Sequence, residues 1–188
     1  MKLSRLLHII DCPTNSPEAE TCHIGSIHYD SRDVVSGGLF VAIKGFKFDG
    51  HDFIDDAVQK GAAAIVAQHP VAVDVPVYPV ADTRRALASL ADVFFEHPSR
   101  GLTLIGITGT NGKTTTAYIL ESILRQAGFN VGVIGTINYR YNQQAFDNPV
   151  TTPESLDLQR ILGEMKTAGV SHVVMEASSH AIDLGRVY

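Results

Sequence analysis

Cysteine is scarce in this 188-residue chain, and the two present, Cys12 and Cys22, read neither as a disulfide framework nor as a zinc site. A reduced, cytoplasmic setting is the simpler expectation. Basic residues are outnumbered 15 to 20, and a net charge of −5 with no basic cluster argues against general nucleic-acid binding. An anionic ligand must therefore be met by local positive groups, not by the overall field. No segment is long and apolar enough to span a membrane, so no membrane insertion is expected. Residues 1–11 carry Lys2 and Arg5 but no sustained apolar core or small-residue cleavage site, so they are not read as a signal peptide. Internal repeats and low-complexity tracts are also lacking. What remains, 45% hydrophobic and 19% charged, is an ordinary globular composition for one domain, or one small domain plus part of another.

Against that background one stretch stands out: Leu104-Ile105-Gly106-Ile107-Thr108-Gly109-Thr110-Asn111-Gly112-Lys113-Thr114-Thr115-Thr116. An apolar run ends in a glycine-bracketed turn, and Lys-Thr opens an amphipathic segment. These are the parts of a phosphate-binding loop between a buried strand and a helix. Glycines let backbone N–H groups curl around a polyphosphate, and the helix N-terminus favours negative charge. Lys113 can reach terminal phosphates, and the Thr114 hydroxyl can take a place on Mg²⁺. Ile107 stands where G-x-x-x-x-G-K-[ST] has its first glycine, so the loop is a variant of that pattern.

The chain divides near the polar stretch 95–101, giving expected domains of residues 1–98 and 99–188. Before the break, residues 39–43, 63–67 and 77–80 read as strands. Residues 52–60 read as a helix stopped by Gly61, and Asp82 is a plausible N-cap for a helix running to about Phe95. After it, residues 102–108, 131–134 and 173–175 read as strands. A helix over 114–127 is expected to bury Leu120, Ile123, Leu124 and Ala127. A second, capped by Thr152 with Pro153 in its first turn, ends at Gly169. The fold class is α/β: a small α/β domain, then part of a doubly wound parallel sheet with its ligand at the C-terminal strand ends.

Three other segments are candidates. Tyr29-Asp30-Ser31-Arg32 reads as a loop with an Asx-type turn. Thr151-Thr152-Pro153-Glu154 reads as a helix cap whose hydroxyls and N–H groups could also hold an anion. Met175-Glu176-Ala177-Ser178-Ser179-His180 begins at the end of a buried strand, where Glu176 is placed to serve a nucleotide-bound Mg²⁺. His180 could orient a phosphate or Glu176, do acid–base work, or be structural.

In order, Asp30-Ser31-Arg32, Leu39-Phe40-Val41-Ala42, Asp49-Gly50-His51, the Thr108–Thr115 loop, Thr151-Thr152-Pro153-Glu154 and Glu176-Ala177-Ser178-Ser179-His180 resemble the Mur ligases over nearly the whole chain. The resemblance implies an ATP-dependent amide ligase of bacterial peptidoglycan synthesis. Such an enzyme activates the substrate carboxylate as an acyl phosphate for attack by an amine. The Asp-Ser-Arg segment and the Thr-Thr-Pro and Ser-Ser-His pair point to the members that add diaminopimelate or lysine to UDP-MurNAc-L-Ala-D-Glu. It implies ATP and Mg²⁺ as cofactors; a monomer is the separate expectation. Gly109, Thr110, Asn111, Gly112, Lys113, Thr114 and Thr115 would hold ATP; Thr114 and Glu176 would serve the metal; Lys113, Glu176 and His180 would be catalytic. Ser31 and the loop 45–50 would hold the uridine diphosphate end, and Thr151, Thr152, Ser178 and Arg186 the muramoyl-dipeptide. Leu184 departs from the polar residue some members carry two positions before the arginine. The family also needs a modified lysine and a C-terminal domain further along, so the chain reads as an N-terminal portion with weak or absent ligation by itself. Two alternatives stay open: a non-catalytic UDP-sugar-binding module, and a folylpolyglutamate-type ligase.

Overall fold

Short apolar runs, too short for long helices and rich in Ala, Val, Ile and Leu, become the strands of two separate sheets. The computed structural model describes residues 1–12, 16–45, 48–148 and 150–187. These form two units, Met1–Phe94 and Phe95–Tyr188.

The first unit contains α1 (Leu3–Ile9), α2 (Pro17–Thr21), β1 (Ile27–His28), β2 (Leu39–Val41), α3 (Ile54–Gln59), β3 (Ala64–Ala67), β4 (Val77–Pro79) and α4 (Thr83–Phe94). The strands pair in sequence order, all parallel. Phe40, Ala42, Ile65 and Ala67 pack with Ile54 and Ala57 of α3 in one cluster. Leu39, Val41, Ala64 and Val66, on the opposite face, are equally buried. A sheet covered on both faces explains why its strands read as continuous apolar runs. The helix expected over 52–60 enters through a 3₁₀ turn at Gly50–Phe53 and stops before Gly61, whose φ of +93° suits only glycine. Asp82 caps α4 as expected, accepting from Arg84 N at 2.9 Å and Arg85 N at 3.1 Å. The first helices and β1 are elements the sequence reading did not identify.

The second unit runs from a 3₁₀ turn (Pro98–Gly101) through β5 (Thr103–Ile107), α5 (Lys113–Gln126), β6 (Val131–Ile134), β7 (Asn138–Tyr141) and β8 (Gln144–Asp147). It continues with α6 (Ser155–Thr167), β9 (His172–Glu176) and α7 (Ser179–Asp183). The sheet order is β5-β9-β6-β7-β8, with β5, β9 and β6 parallel and β7 and β8 antiparallel. The connection from β5 to β6 runs one way along the sheet, and that from β6 back to β9 runs the other. Right-handed crossovers of opposite direction put their helices on opposite faces. Accordingly Ala117 of α5 clusters with Val131, Val133 and Val174, and Leu158, Ile161, Leu162 and Met165 of α6 with Ile134 and Val173. The sheet is therefore doubly wound as expected.

Three expectations need correction. The second sheet is mixed, because the β7–β8 hairpin was missed. Its turn residues Asn142 and Gln143, at φ of +47° and +64°, lack the glycine that marks such turns. The helix expected to start at Pro153 starts at Ser155. Glu154, extended, is its N-cap, and the Thr152 hydroxyl is engaged elsewhere. The buried face of α5 is Ala117, Leu120, Glu121 and Leu124, whereas Ile123 is 56% exposed and Ala127 also faces solvent. The helix touches the sheet along a narrower stripe than its apolar residues suggest, and β5 is an edge strand with Leu104 40% exposed.

Leu162→Ala should therefore cost about 2–5 kcal/mol in the second unit, and Ile123→Ala no more than about 0.5 kcal/mol. Hydrogen-exchange protection of the β9 amides measures both; equal losses would contradict the assigned faces.

Candidate functional site

At the C-terminal end of β5 the chain turns through Gly109 (φ +144°) and Gly112 (φ +78°) into α5. Both angles are ones that a side chain would strain. Gly112 is the N-cap of α5 and no side chain caps that end, so its first N–H groups remain as an anion-binding terminus. The Lys113 ammonium lies over the loop, donating to the Gly109 carbonyl at 2.8 Å. Thr110, Asn111, Gly112, Lys113, Thr114, Thr115, Thr136 and Glu176 line a cleft of ≈ 220 Å³. It opens beside the point where the strand order reverses, the usual ligand crevice of such sheets.

Glu176 ends β9, paired in register with Ile107 of β5, and is 1% exposed. Its carboxylate is met by the Thr114 hydroxyl (3.0 Å), the Thr136 hydroxyl (3.1 Å) and the Thr136 backbone N–H (3.2 Å). A Cβ on Gly135 would collide with Glu176 Oε1, so the β6 end must be side-chain-free for the carboxylate to lie there. Among the described residues no three His, Cys, Asp or Glu side chains gather to hold a metal. Glu176 and Thr114 offer two hard oxygens in the cleft. That donor set fits Mg²⁺, which takes few protein ligands and completes its shell with phosphate oxygens and water. Thr136 is a site residue the sequence reading missed. The available signal was its position just past a predicted strand of the same sheet.

The segment 151–154 lies against the same strand end. Thr151 Oγ1 is 3.2 Å from Thr136 Oγ1. Buried Thr152 donates its hydroxyl to the Glu176 carbonyl at 2.9 Å and accepts from Ser178 N at 3.2 Å. Arg186 donates to the Thr152 carbonyl at 3.2 Å and ion-pairs with Glu154 at 3.2 Å. Ser178 and Arg186 are thus joined through Thr152 into one hydrogen-bonded group, while Thr151 contacts Thr136. Ser178 caps α7 through Ala181 N at 3.1 Å. His180, in the first turn of α7, is exposed and is not among the described residues lining the cleft.

In the first unit, loops follow the C-terminal ends of β1, β2 and β3. Asp30 makes the expected Asx turn, accepting from Arg32 N at 2.9 Å, and also pairs with the Arg32 guanidinium. Ser31 is buried, and Lys60 ties down the turn by donating to the Ser31 and Arg32 carbonyls, each at 2.9 Å. Asp49 makes a second Asx turn to His51 N at 3.1 Å. The His51 ring accepts at Nε2 from Gln68 N (3.0 Å), so Nδ1 carries the proton and donates to Asp49 at 2.6 Å. Of the loop expected to hold a diphosphate, Phe46 and Lys47 lie outside the described residues.

Residues 23–95 match the Mur ligase family catalytic domain and residues 107–188 the Mur ligase middle domain. The UDP-N-acetylmuramoyl-L-alanyl-D-glutamate–2,6-diaminopimelate ligase of Bacillus licheniformis is 48% identical over 188 residues, 100% of this chain and 38% of that protein. The ligase of that name from Geobacillus kaustophilus is 53% identical over 165 residues, 88% of this chain and 34% of that protein. A solved structure of a ligase of the same name superposes with a TM-score of 0.83 at 25% identity, covering 100% of this chain and 38% of that one. MurF from Thermotoga maritima in complex with ADP matches with a TM-score of 0.56 at 31% identity, covering 82% of this chain and 32% of that one. The chain therefore spans little more than a third of the length of these relatives.

The hydrogen bond from His51 holds the Asp49 carboxyl below its ordinary value of 3.8. A carboxyl whose pKa is lowered by folding contributes stability that is complete above the ordinary value and is lost as pH falls through the folded one. Asp49→Asn keeps the turn acceptor but removes the titration. Between about pH 5 and about pH 3, thermal unfolding of the first unit should fall less in this variant than in the wild type; an equal fall would exclude the linkage.

Proposed function

The chain belongs to the Mur ligase family, and from that premise we propose that it forms the N-terminal part of a UDP-N-acetylmuramoyl-L-alanyl-D-glutamate–2,6-diaminopimelate ligase, MurE. The observation that carries this reading is the cleft itself, where a glycine loop, a helix N-terminus, Lys113, Thr114 and Glu176 meet at one strand end. In the proposed reaction the γ-phosphoryl group of ATP passes to the γ-carboxylate of D-glutamate. The amine of diaminopimelate then attacks that acyl phosphate, forming the amide and releasing phosphate.

The work asked of these residues is binding, orientation and charge neutralisation. Backbone N–H groups of 109–115 cradle the phosphates, and Lys113 leaves the Gly109 carbonyl to reach their terminal oxygens. Thr114 and Glu176 would hold Mg²⁺. The metal, when bound, neutralises charge on the transferring phosphoryl group. Thr151, Thr152, Ser178 and Arg186 are assigned to the muramoyl-dipeptide. The hydrogen bonds that join Ser178 and Arg186 to Thr152 support this, because a pre-ordered group loses less entropy on binding. Ser31 and the loop 45–50 are assigned to the uridine diphosphate end. His180, catalytic by the resemblance, stands exposed in the first turn of α7, outside the described residues that line the phosphate cleft. No helix among the described residues is long and apolar enough to cross a membrane.

Calorimetric titration tests the assignment. Lys113→Ala should weaken ATP in the presence of Mg²⁺ by about tenfold to a hundredfold, the worth of a charged hydrogen bond, while leaving UDP-MurNAc-L-Ala-D-Glu binding nearly unchanged. Arg186→Ala should do the reverse. Equal effects of both variants on both ligands would sink the division of labour.

A further inference from the structure

Thr136 stands immediately past Gly135 at the end of β6 and holds Glu176 at both oxygens: its N–H reaches Oε1 at 3.2 Å and its hydroxyl reaches Oε2 at 3.1 Å. We infer that Thr136 is a positioning residue for Glu176, oriented in turn by Thr151. The inference rests on the nucleotide reading above, and deepens it by naming what aims the carboxylate at the cleft.

As a carboxylate, Glu176 has no proton to give, so both hydroxyls at Oε2 are donors: Thr114 at 3.0 Å and Thr136 at 3.1 Å. Each threonine has one hydroxyl proton. With the Thr136 proton given to an ionised Glu176, we assign the 3.2 Å contact between the two hydroxyls with Thr151 donating and Thr136 accepting. The chain of hydrogen bonds has one direction, from Thr151 through Thr136 to Glu176, met from the other side by Thr114.

Two consequences follow. With its proton committed to Glu176, Thr114 presents only lone pairs to the cleft, the form in which a hydroxyl can meet a cation. And Glu176, which closes against Gly135 on one side, is prevented from rotating by a donor on each oxygen. Removing the Thr136 hydroxyl leaves Oε2 with Thr114 alone and lets the carboxylate turn away from the position that serves the metal. Partners of this kind, which orient a metal-serving group without touching the metal, typically control affinity by tenfold or more.

The test is calorimetric titration of this chain with ADP, once in excess MgCl₂ and once in EDTA, the ratio of the two affinities being the readout. Thr136→Val keeps the branched shape and the backbone N–H and removes only the hydroxyl; Thr136→Ser keeps the hydroxyl. The expected result is that Thr136→Val lowers the Mg²⁺-dependent ratio by about tenfold, with Mg²⁺-free ADP affinity little changed, and that Thr136→Ser retains it. Thr151→Val should lower the ratio by a lesser factor; an unchanged ratio there removes Thr151 from the chain of donors. A wild-type ratio in Thr136→Val overturns the proposal. Loss in both Thr136 variants also overturns it, since a hydroxyl at this position would then not be enough to hold the ratio. If the wild type gains nothing from Mg²⁺ or takes no ADP, the nucleotide reading itself fails, and this inference with it.

Discussion

A carboxylate buried to 1% exposure destabilises a fold unless donors meet it, and in the second unit the donors at Glu176 come from two other elements. Thr114 belongs to the first turn of α5, Thr136 follows β6, and Glu176 itself ends β9. The contact can form only if β9 lies between β5 and β6 with its end level with theirs. The observed register does this, pairing Ile107 with Glu176 and Ile134 with Met175. One polar requirement thus constrains strand order, strand register and the entry of a helix.

The same requirement links stability to chemistry. A carboxyl held by hydroxyls rather than by an arginine or lysine has its oxygens open to a cation arriving with a phosphate. Neighbouring charges are treated differently. Glu121 of α5 is paired with both Arg125 and Arg140, and Glu154 with Arg186. Those pairs close on themselves, in keeping with structural roles, whereas Glu176 is left to the cleft.

How far this was legible in the sequence depends on whether a feature is local. The phosphate loop was readable because glycine punctuation, an apolar run before it and Lys-Thr after it all lie within thirteen residues. Asp30 and Asp82 were readable because an Asx turn or cap is a contact between near neighbours. The hairpin Asn138–Asp147 escaped because its turn uses Asn142 and Gln143, which carry a weaker signal than glycine. The start of α6 was misplaced by two residues because local capping rules favoured Thr152, whose hydroxyl is drawn instead to the Glu176 carbonyl 24 positions on. Ile123 was assigned inward because periodicity gives the angular spacing of a face but not its width. Thr136 escaped for the same reason as Thr152: its importance comes entirely from partners across the sheet.

Both units place their polar loops at the C-terminal ends of parallel strands, yet the two sheets reach this by different topologies. In the second, the reversal between β6 and β9 sends α5 and α6 to opposite faces and leaves a crevice between their approaches. In the first, the order runs straight from β1 to β4 with no reversal, so no such crevice is generated by the strands. Its loops must shape themselves: Asp30 and Asp49 fold back on their own backbones, Lys60 ties down one turn and the His51 ring bridges to Gln68. A site built in this way rests on side-chain hydrogen bonds alone, where the other adds them to a crevice that strand order has already opened.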